Sequence, residues 1–186
     1  MNGGPLHPMN GAPLRLVVPG WPASTAQKWL NRIELRDQVH DGPKMTGKAY
    51  RVPAYKVAPG QKVPTEDFVI IERMPVKSLV TFPANNADVG MATEVRGHAW
   101  SGDRTVRTVE ISTDFGATWM AAELDQPVNS GAWQNWRANV SFPKAGYYEV
   151  WARATDSEGV MQPFAIDWNP KGYLNNTMHR VGVRAS

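Results

Sequence analysis

An arginine interrupts the apolar run "LRLVV" at residues 14–18, where Arg15 stands among Leu14, Leu16, Val17 and Val18. A guanidinium beside a buried strand is costly unless an anion or another acceptor satisfies it. Its planar fork of donors fits oxyanions two oxygens at a time. The other possibility is an arginine at a strand start that snorkels to water, and spacing by itself leaves both open. Other reactive groups are few. Cysteine is absent, which excludes a thiolate nucleophile, a thiolate metal site and a disulfide within this chain. His7, His40, His98 and His179 show no metal-ligand spacing such as HxxxH. His98 alternates with Arg96 and Trp100 along one strand face and His179 precedes an arginine in a strand, so both read as structural. Asp114 and Asp156 read as turn residues, and there is no GxSxG, P-loop or helix-opening GxGxxG.

The elements that must position these groups change character along the chain. Residues 1–52 mix turn chemistry with two short strand-like runs, "LRLVV" and "RIELR". Between them "STAQKWLNR" reads either as a single helical turn capped by Ser24 or Thr25, or as an irregular loop. "PAYKVAPGQKVP", from Pro53 to Pro64, is punctuated as an extended, surface-lying connector. Beyond it, "KSLVTF", "EVRGHAW", "RTVEIST", "NWRANVSF", "YYEVWARAT" and "HRVGVRA" alternate with period two. Trp136, Ala138, Val140 and Phe142 share one face, and Tyr148, Val150, Ala152 and Ala154 another. "TDFGATW" reads as a tight hairpin, with Asp114 and Gly116 in the turn and Trp119 returning to the core.

Short strands at this spacing, with little helix, predict a mainly β chain built on an immunoglobulin-like sandwich over residues 74–186. Residues 53–73 are the expected connector, and residues 1–52 lack the periodicity to close a core of their own. At 186 residues there is room for one domain and part of another. A formal net charge of +3 with scattered basic residues argues against nucleic acid as a partner. No apolar run approaches a membrane span, and "MNGGPLHPMN" has neither the basic nor the apolar region of a signal peptide.

Four motifs then carry a resemblance in order along the chain. "NGAPLRLVVPGW" followed by "KWLNRIEL" resembles the end of the molybdenum-cofactor domain of the sulfite oxidase family, an α+β molybdopterin-binding domain. "MPVKSLVTFP", "GHAWSGDRTVRTVEISTDFGATW" and "WNPKGYLNNTMHRV" are similar to successive parts of that family's immunoglobulin-like dimerisation domain. Asn10 and "KAYRVP" resemble the bacterial sulfite dehydrogenases, which deliver electrons to a cytochrome c.

The resemblance implies a division of labour. Arg15 and Lys28 would contact the phosphate-bearing pyranopterin cofactor, with Asn10 beside them, while Tyr50 and Arg104 would hold a sulfite oxyanion. It also implies a homodimer, a cytochrome c acceptor and a periplasmic setting for the intact bacterial protein. The chain departs from the family pattern at Ala23, where glycine is common, and at Ala26-Gln27, where Ser-Val is common. Any cofactor contact at Ala26 is therefore through the backbone. In the family one cysteine thiolate also holds the metal, and this chain has none. The expectation is thus a C-terminal segment beginning at an internal methionine, inactive alone. A free-standing sandwich that serves only as an interaction module is the alternative.

Overall fold

The computed structural model describes residues 3–186. Met1, the expected internal start, and Asn2, the first two residues of the expected 1–52 domain, lie outside the described residues. The chain divides into two compact units, Met1–Met74 with Asp167–Tyr173 and Pro75–Ile166 with Leu174–Ser186.

In the second unit the period-two runs become strands because each has one apolar face to bury. A four-stranded sheet has the order β3 (Lys77–Phe82), β5 (Ala92–Trp100), β9 (Gln134–Ser141) and β8 (Glu123–Leu124). A five-stranded sheet has the order β4 (Ala87–Val89), β11 (His179–Ala185), β10 (Gly146–Asp156), β6 (Val106–Ser112) and β7 (Met120–Ala121). Among the described residues of these two sheets, only the β4–β11 pair is parallel. Val95, Ala99, Trp136, Ala138 and Val140 from one sheet meet Val109, Ile111, Val150, Ala152, Ala154 and Val183 from the other in a single core. This is an immunoglobulin-like β-sandwich.

Gly97 lies where β5 passes Trp136; a Cβ there would stand 2.0 Å from the Leu79 carbonyl oxygen and 2.2 Å from the Trp136 ring. The glycine is a packing requirement of the core. Trp119 does not return to that core. Its ring lies under the Arg153 guanidinium at 3.8 Å, and its indole N–H donates to the Gly116 carbonyl. The intervening hairpin turns at Phe115 and Gly116, both with positive φ, and the Asp114 carboxylate accepts from Ser112, the Thr118 N–H and the Thr118 hydroxyl.

The first unit departs further from expectation. Neither "LRLVV" nor "RIELR" is a strand, because neither finds a partner ladder or a face to cover. Residues 14–16 make only two backbone bonds to residues 27–30, Leu16 N–H to Gln27 and Leu30 N–H to Leu14. Leu14, Val17, Ile33 and Leu35 are exposed. The single helical turn is a 3₁₀ turn at Ala23–Thr25 that follows Pro22, so neither Ser24 nor Thr25 caps it. Thr25 instead returns its hydroxyl to the Pro22 carbonyl. The segment expected as a connector is folded: β1 (Arg51–Pro53) pairs antiparallel with β2 (Phe68–Ile70), and Val57 and Val63 on the intervening loop are buried. No α-helix occurs among the described residues of either unit.

Candidate functional site

The structure gathers three of the five expected site residues, Asn10, Arg15 and Lys28, at one turn. Pro8–Asn10 forms a 3₁₀ turn that ends on Gly11, whose φ of 106° is open mainly to glycine. A Cβ at Gly11 would stand 2.8 Å from the Lys28 Cα, so this glycine allows residues 28–29 to close against the turn. The closure is held by Trp29, whose amide donates to Gly11 and whose indole donates to Pro8. On this frame the Lys28 ammonium bonds the Met9 carbonyl at 2.8 Å, and the Arg15 guanidinium bonds the Asn10 carbonyl at 3.2 Å.

Two cations therefore point at consecutive carbonyls of a single turn. Among the described residues neither forms an ion pair with a carboxylate. A peptide carbonyl orients a cation without cancelling its charge, so the pair keeps its attraction for an anion. Asn10 contributes through its carbonyl. Ala26 has already committed its N–H to the Ala23 carbonyl, so it has no backbone donor to offer.

Tyr50 lies elsewhere in the same unit. It lines a cleft of about 160 Å³ with Trp21, Lys44, Met45, Arg51 and Ile70. Its backbone is left-handed, φ 53°, fixed by its carbonyl accepting from Ile71 and its amide donating to the Tyr173 hydroxyl. A tyrosine in that region is strained by roughly 1–3 kcal/mol, which the surrounding structure must impose. Its own hydroxyl has no hydrogen-bond partner among the described residues.

Arg104 belongs to the second unit and closes the tight turn Ser101–Arg104 between β5 and β6. One guanidinium nitrogen, Nη1, donates to the Asp156 carboxylate at 3.1 Å, and the other, Nη2, reaches the Glu158 carboxylate at 2.8 Å. The Asp156 bond and the nearby carboxylates hold the Arg104 pKa above its ordinary value. Burial works against the charge on Asp156, yet bonds from the Val160 N–H, Arg104 and the Glu158 N–H outweigh it, keeping the carboxyl below its ordinary pKa.

This carboxylate clamp is the part of the site that sequence reasoning missed. Asp156 does make the expected turn, accepting from the amides of residues 158 and 160. It is also the next even-numbered residue after Tyr148, Val150, Ala152 and Ala154 on the inward face of β10. A carboxylate continuing an apolar face signals a buried ion pair, and that signal was available. The two histidines are structural: His179 accepts from the Val80 amide, and His98 stacks on Trp133.

A family model described as the Mo-co oxidoreductase dimerisation domain matches residues 68–186, and one described as the oxidoreductase molybdopterin binding domain matches residues 1–44. Fold and match together define the class: an immunoglobulin-like dimerisation domain of molybdenum-cofactor oxidoreductases, preceded by part of a molybdopterin-binding domain. The chain belongs to the sulfite oxidase family.

Mitochondrial sulfite oxidase of Homo sapiens is 35% identical over 201 residues, covering 100% of this chain and 35% of that protein. The Drosophila melanogaster enzyme is 34% identical, covering 99% of this chain and 35% of that protein. Inducible nitrate reductase [NADH] 1 of Glycine max is 29% identical, covering 97% of this chain and 22% of its own length. This chain thus spans about a third of the length of the sulfite oxidases it matches. Among solved structures, the sulfane dehydrogenase SoxCD from Paracoccus pantotrophus shares the fold. Its TM-score is 0.69 at 23% identity, over 91% of this chain and 43% of that one.

Proposed function

We propose that the chain is the dimerisation and outer-pocket portion of a bacterial molybdenum enzyme. That enzyme oxidises sulfite to sulfate, passes electrons to a cytochrome c, and works as a homodimer in the periplasm. The observation that carries the reading is the Pro8–Gly11 turn, which aims Arg15 and Lys28 at adjacent carbonyls without neutralising either. That donor set fits the phosphate of a pyranopterin. It does not fit the metal: the chain has no cysteine, and no group of three His, Asp or Glu residues is placed to hold an ion among the described residues. The two-electron redox chemistry comes with the bound molybdenum cofactor, whose metal-gripping thiolate must come from other polypeptide.

This chain's residues bind and orient. Arg15 and Lys28 hold the cofactor's phosphate, with Asn10 fixing the Arg15 side chain through its carbonyl. Tyr50 offers an unsatisfied hydroxyl as a donor to substrate, and Arg104 offers a guanidinium whose donor directions the Asp156 bond fixes. The exposed apolar side chains of residues 14–39 support a role in which this unit packs against further protein.

Inorganic phosphate titrated against the chain, followed by the Trp29 indole N–H resonance in NMR, tests the phosphate role directly, because the Lys28 ammonium lies 5.6 Å from that ring. Arg15→Ala and Lys28→Ala are each expected to weaken the response about tenfold, the range of one charge-assisted bond. Unaltered affinity in both variants would refute the assignment. Co-expression with the cysteine-bearing part of a family member, followed by sulfite-dependent cytochrome c reduction, tests the reaction.

A further inference from the structure

The two carboxylates on Arg104 are not equivalent. Asp156 is fixed from several sides: its side chain is 2% exposed, and it accepts from the Ser101 hydroxyl, the amides of Glu158 and Val160, and Arg104 itself. Glu158 rides on the loop between Asp156 and Val160. The loop is pinned by the Ser157 amide on the Thr105 carbonyl and closed by the Gly159 amide on the Asp156 carbonyl. Its side chain is 62% exposed and has no further hydrogen bond among the described residues. Asp156 is thus a fixed counterion that aims the guanidinium, whereas Glu158 is a replaceable one at its outer nitrogen.

We propose that Glu158 is a built-in competitor for the oxyanion at Arg104: its carboxylate takes the Nη2 arm that a small oxyanion substrate would use, and so sets that substrate's affinity. This rests on reading Arg104 as an oxyanion-holding residue. An oxyanion arriving at Nη2 finds the donors already engaged by an internal oxyanion 2.8 Å away. It also meets the negative charge of Asp103, whose field acts on the same guanidinium. Binding is therefore an exchange of one carboxylate for one external anion. A pair whose Glu158 partner is exposed and Arg104 half-buried breaks at modest cost in water, which suits an arginine that must hold product weakly enough to release it.

The test is a sulfate titration of the chain, with ionic strength held constant by chloride, following the Arg104 Nε–H resonance by NMR. Glu158→Gln should tighten sulfate binding about two- to fivefold, the range an exposed ion pair is worth. Arg104→Ala should abolish the response in both the native and the Glu158→Gln backgrounds, seen on the Ser101 and Ser157 amides. Asp103→Asn removes an equal charge without freeing Nη2, so it should tighten binding less than Glu158→Gln. Unchanged affinity in Glu158→Gln, with the Arg104 dependence intact, would overturn the competitor role while sparing the Arg104 reading. Equal effects from Asp103→Asn and Glu158→Gln would show a general field in place of competition and overturn it too. Sulfate binding that survives Arg104→Ala would remove the underlying reading itself. Matched urea midpoints for the native chain and Glu158→Gln establish that the comparison is between folded proteins.

Discussion

In the sandwich, apolar residues from both sheets share one closed core, and most polar atoms inside it are satisfied: Gln162 alone bonds Ser78, Ala154 and Thr177. In the first unit the buried aliphatic side chains among the described residues are Val52, Val57, Val63 and Ile71, while Leu35 is 96% exposed. That unit is organised by side chains reaching for backbone carbonyls: Lys28 to Met9, Arg15 to Asn10, Trp29 to Pro8, Lys48 to Val63, Arg51 to Met45. The difference teaches where stability and function divide. A core fixes a scaffold on which Arg104 can be clamped. A carbonyl-tethered turn leaves Arg15 and Lys28 without a carboxylate partner among the described residues.

The glycines at the centre of each unit break this comparison most sharply. Gly97→Ala places a methyl into the Leu79 carbonyl and the Trp136 ring with no flexible side chain to yield, and should destabilise the sandwich by about 3 kcal/mol or more. Gly11→Ala, whose Cβ meets the Lys28 backbone, should leave sandwich unfolding unaltered and weaken phosphate binding at the turn. Urea unfolding by far-ultraviolet dichroism distinguishes them. If Gly97→Ala is tolerated, the core is looser than its contacts imply.

Asp156→Asn comes next. It keeps an acceptor for the two loop amides but strips the counterion from Arg104, and should cost about 2–4 kcal/mol. The same carboxylate gives the sandwich a pH dependence. Because its folded pKa is lowered, its stabilisation is full above the ordinary carboxyl range and is lost as pH falls through the folded value. His179 adds a second limb of the same sign. Burial and then Lys77 lower its pKa, so the neutral ring that accepts from Val80 is favoured in the fold. Below about pH 6.5 the unfolded chain takes the proton first and stability falls. Thermal midpoints should decline as pH is lowered from 8 to 2, with the limb that begins near pH 6.5 absent in His179→Gln and the more acidic limb absent in Asp156→Asn.

How much of this was legible in the sequence follows the same division. The long sandwich strands were readable because burying one face imposes strict alternation, as at Trp136, Ala138 and Val140. β4, β7 and β8 were not, being two or three residues long with no period to show. "LRLVV" misled because apolar composition reads as a strand, whereas its residues find no ladder and Val17 faces water. The segment after Pro53 misled in the opposite sense: proline and glycine punctuation concealed the β1–β2 pair, whose register is visible only once Val52 meets Val69. At the sites, Arg15 was conspicuous as a charge among aliphatics. The carbonyl partners that orient it are invisible to side-chain spacing, as is Glu158, which matters only because the loop turns it onto Arg104.

A smaller effect sharpens the contrast through Asp114, whose carboxyl is lowered to about 2 by the Thr118 hydroxyl, the Thr118 amide and Ser112. Its contribution holds above the ordinary carboxyl range and fades only as pH approaches about 2. Asp114→Asn should therefore speed amide exchange at residues 116–118 near neutral pH while leaving the core amides of β10 unchanged. A uniform rise in exchange would mean that this hairpin is coupled to the whole sheet.

The smallest expected change in stability tests what the first unit's exposed surface is for. Leu35 and Val39 lie open to water, so Leu35→Gln with Val39→Gln should shift unfolding by less than about 0.5 kcal/mol, as substitutions far from a core do. Association should respond in the opposite way. If these exposed side chains are covered by further protein, as proposed above, the double variant should lose binding to the cysteine-bearing part of a family member. Its sandwich-mediated self-association by light scattering should stay unchanged. Were both kinds of association to weaken together, the separation of a docking unit from a dimerising one would fail. Were only the heterologous contact to weaken, the exposed leucine and valine would be doing outside this chain what Val95 and Trp136 do within it.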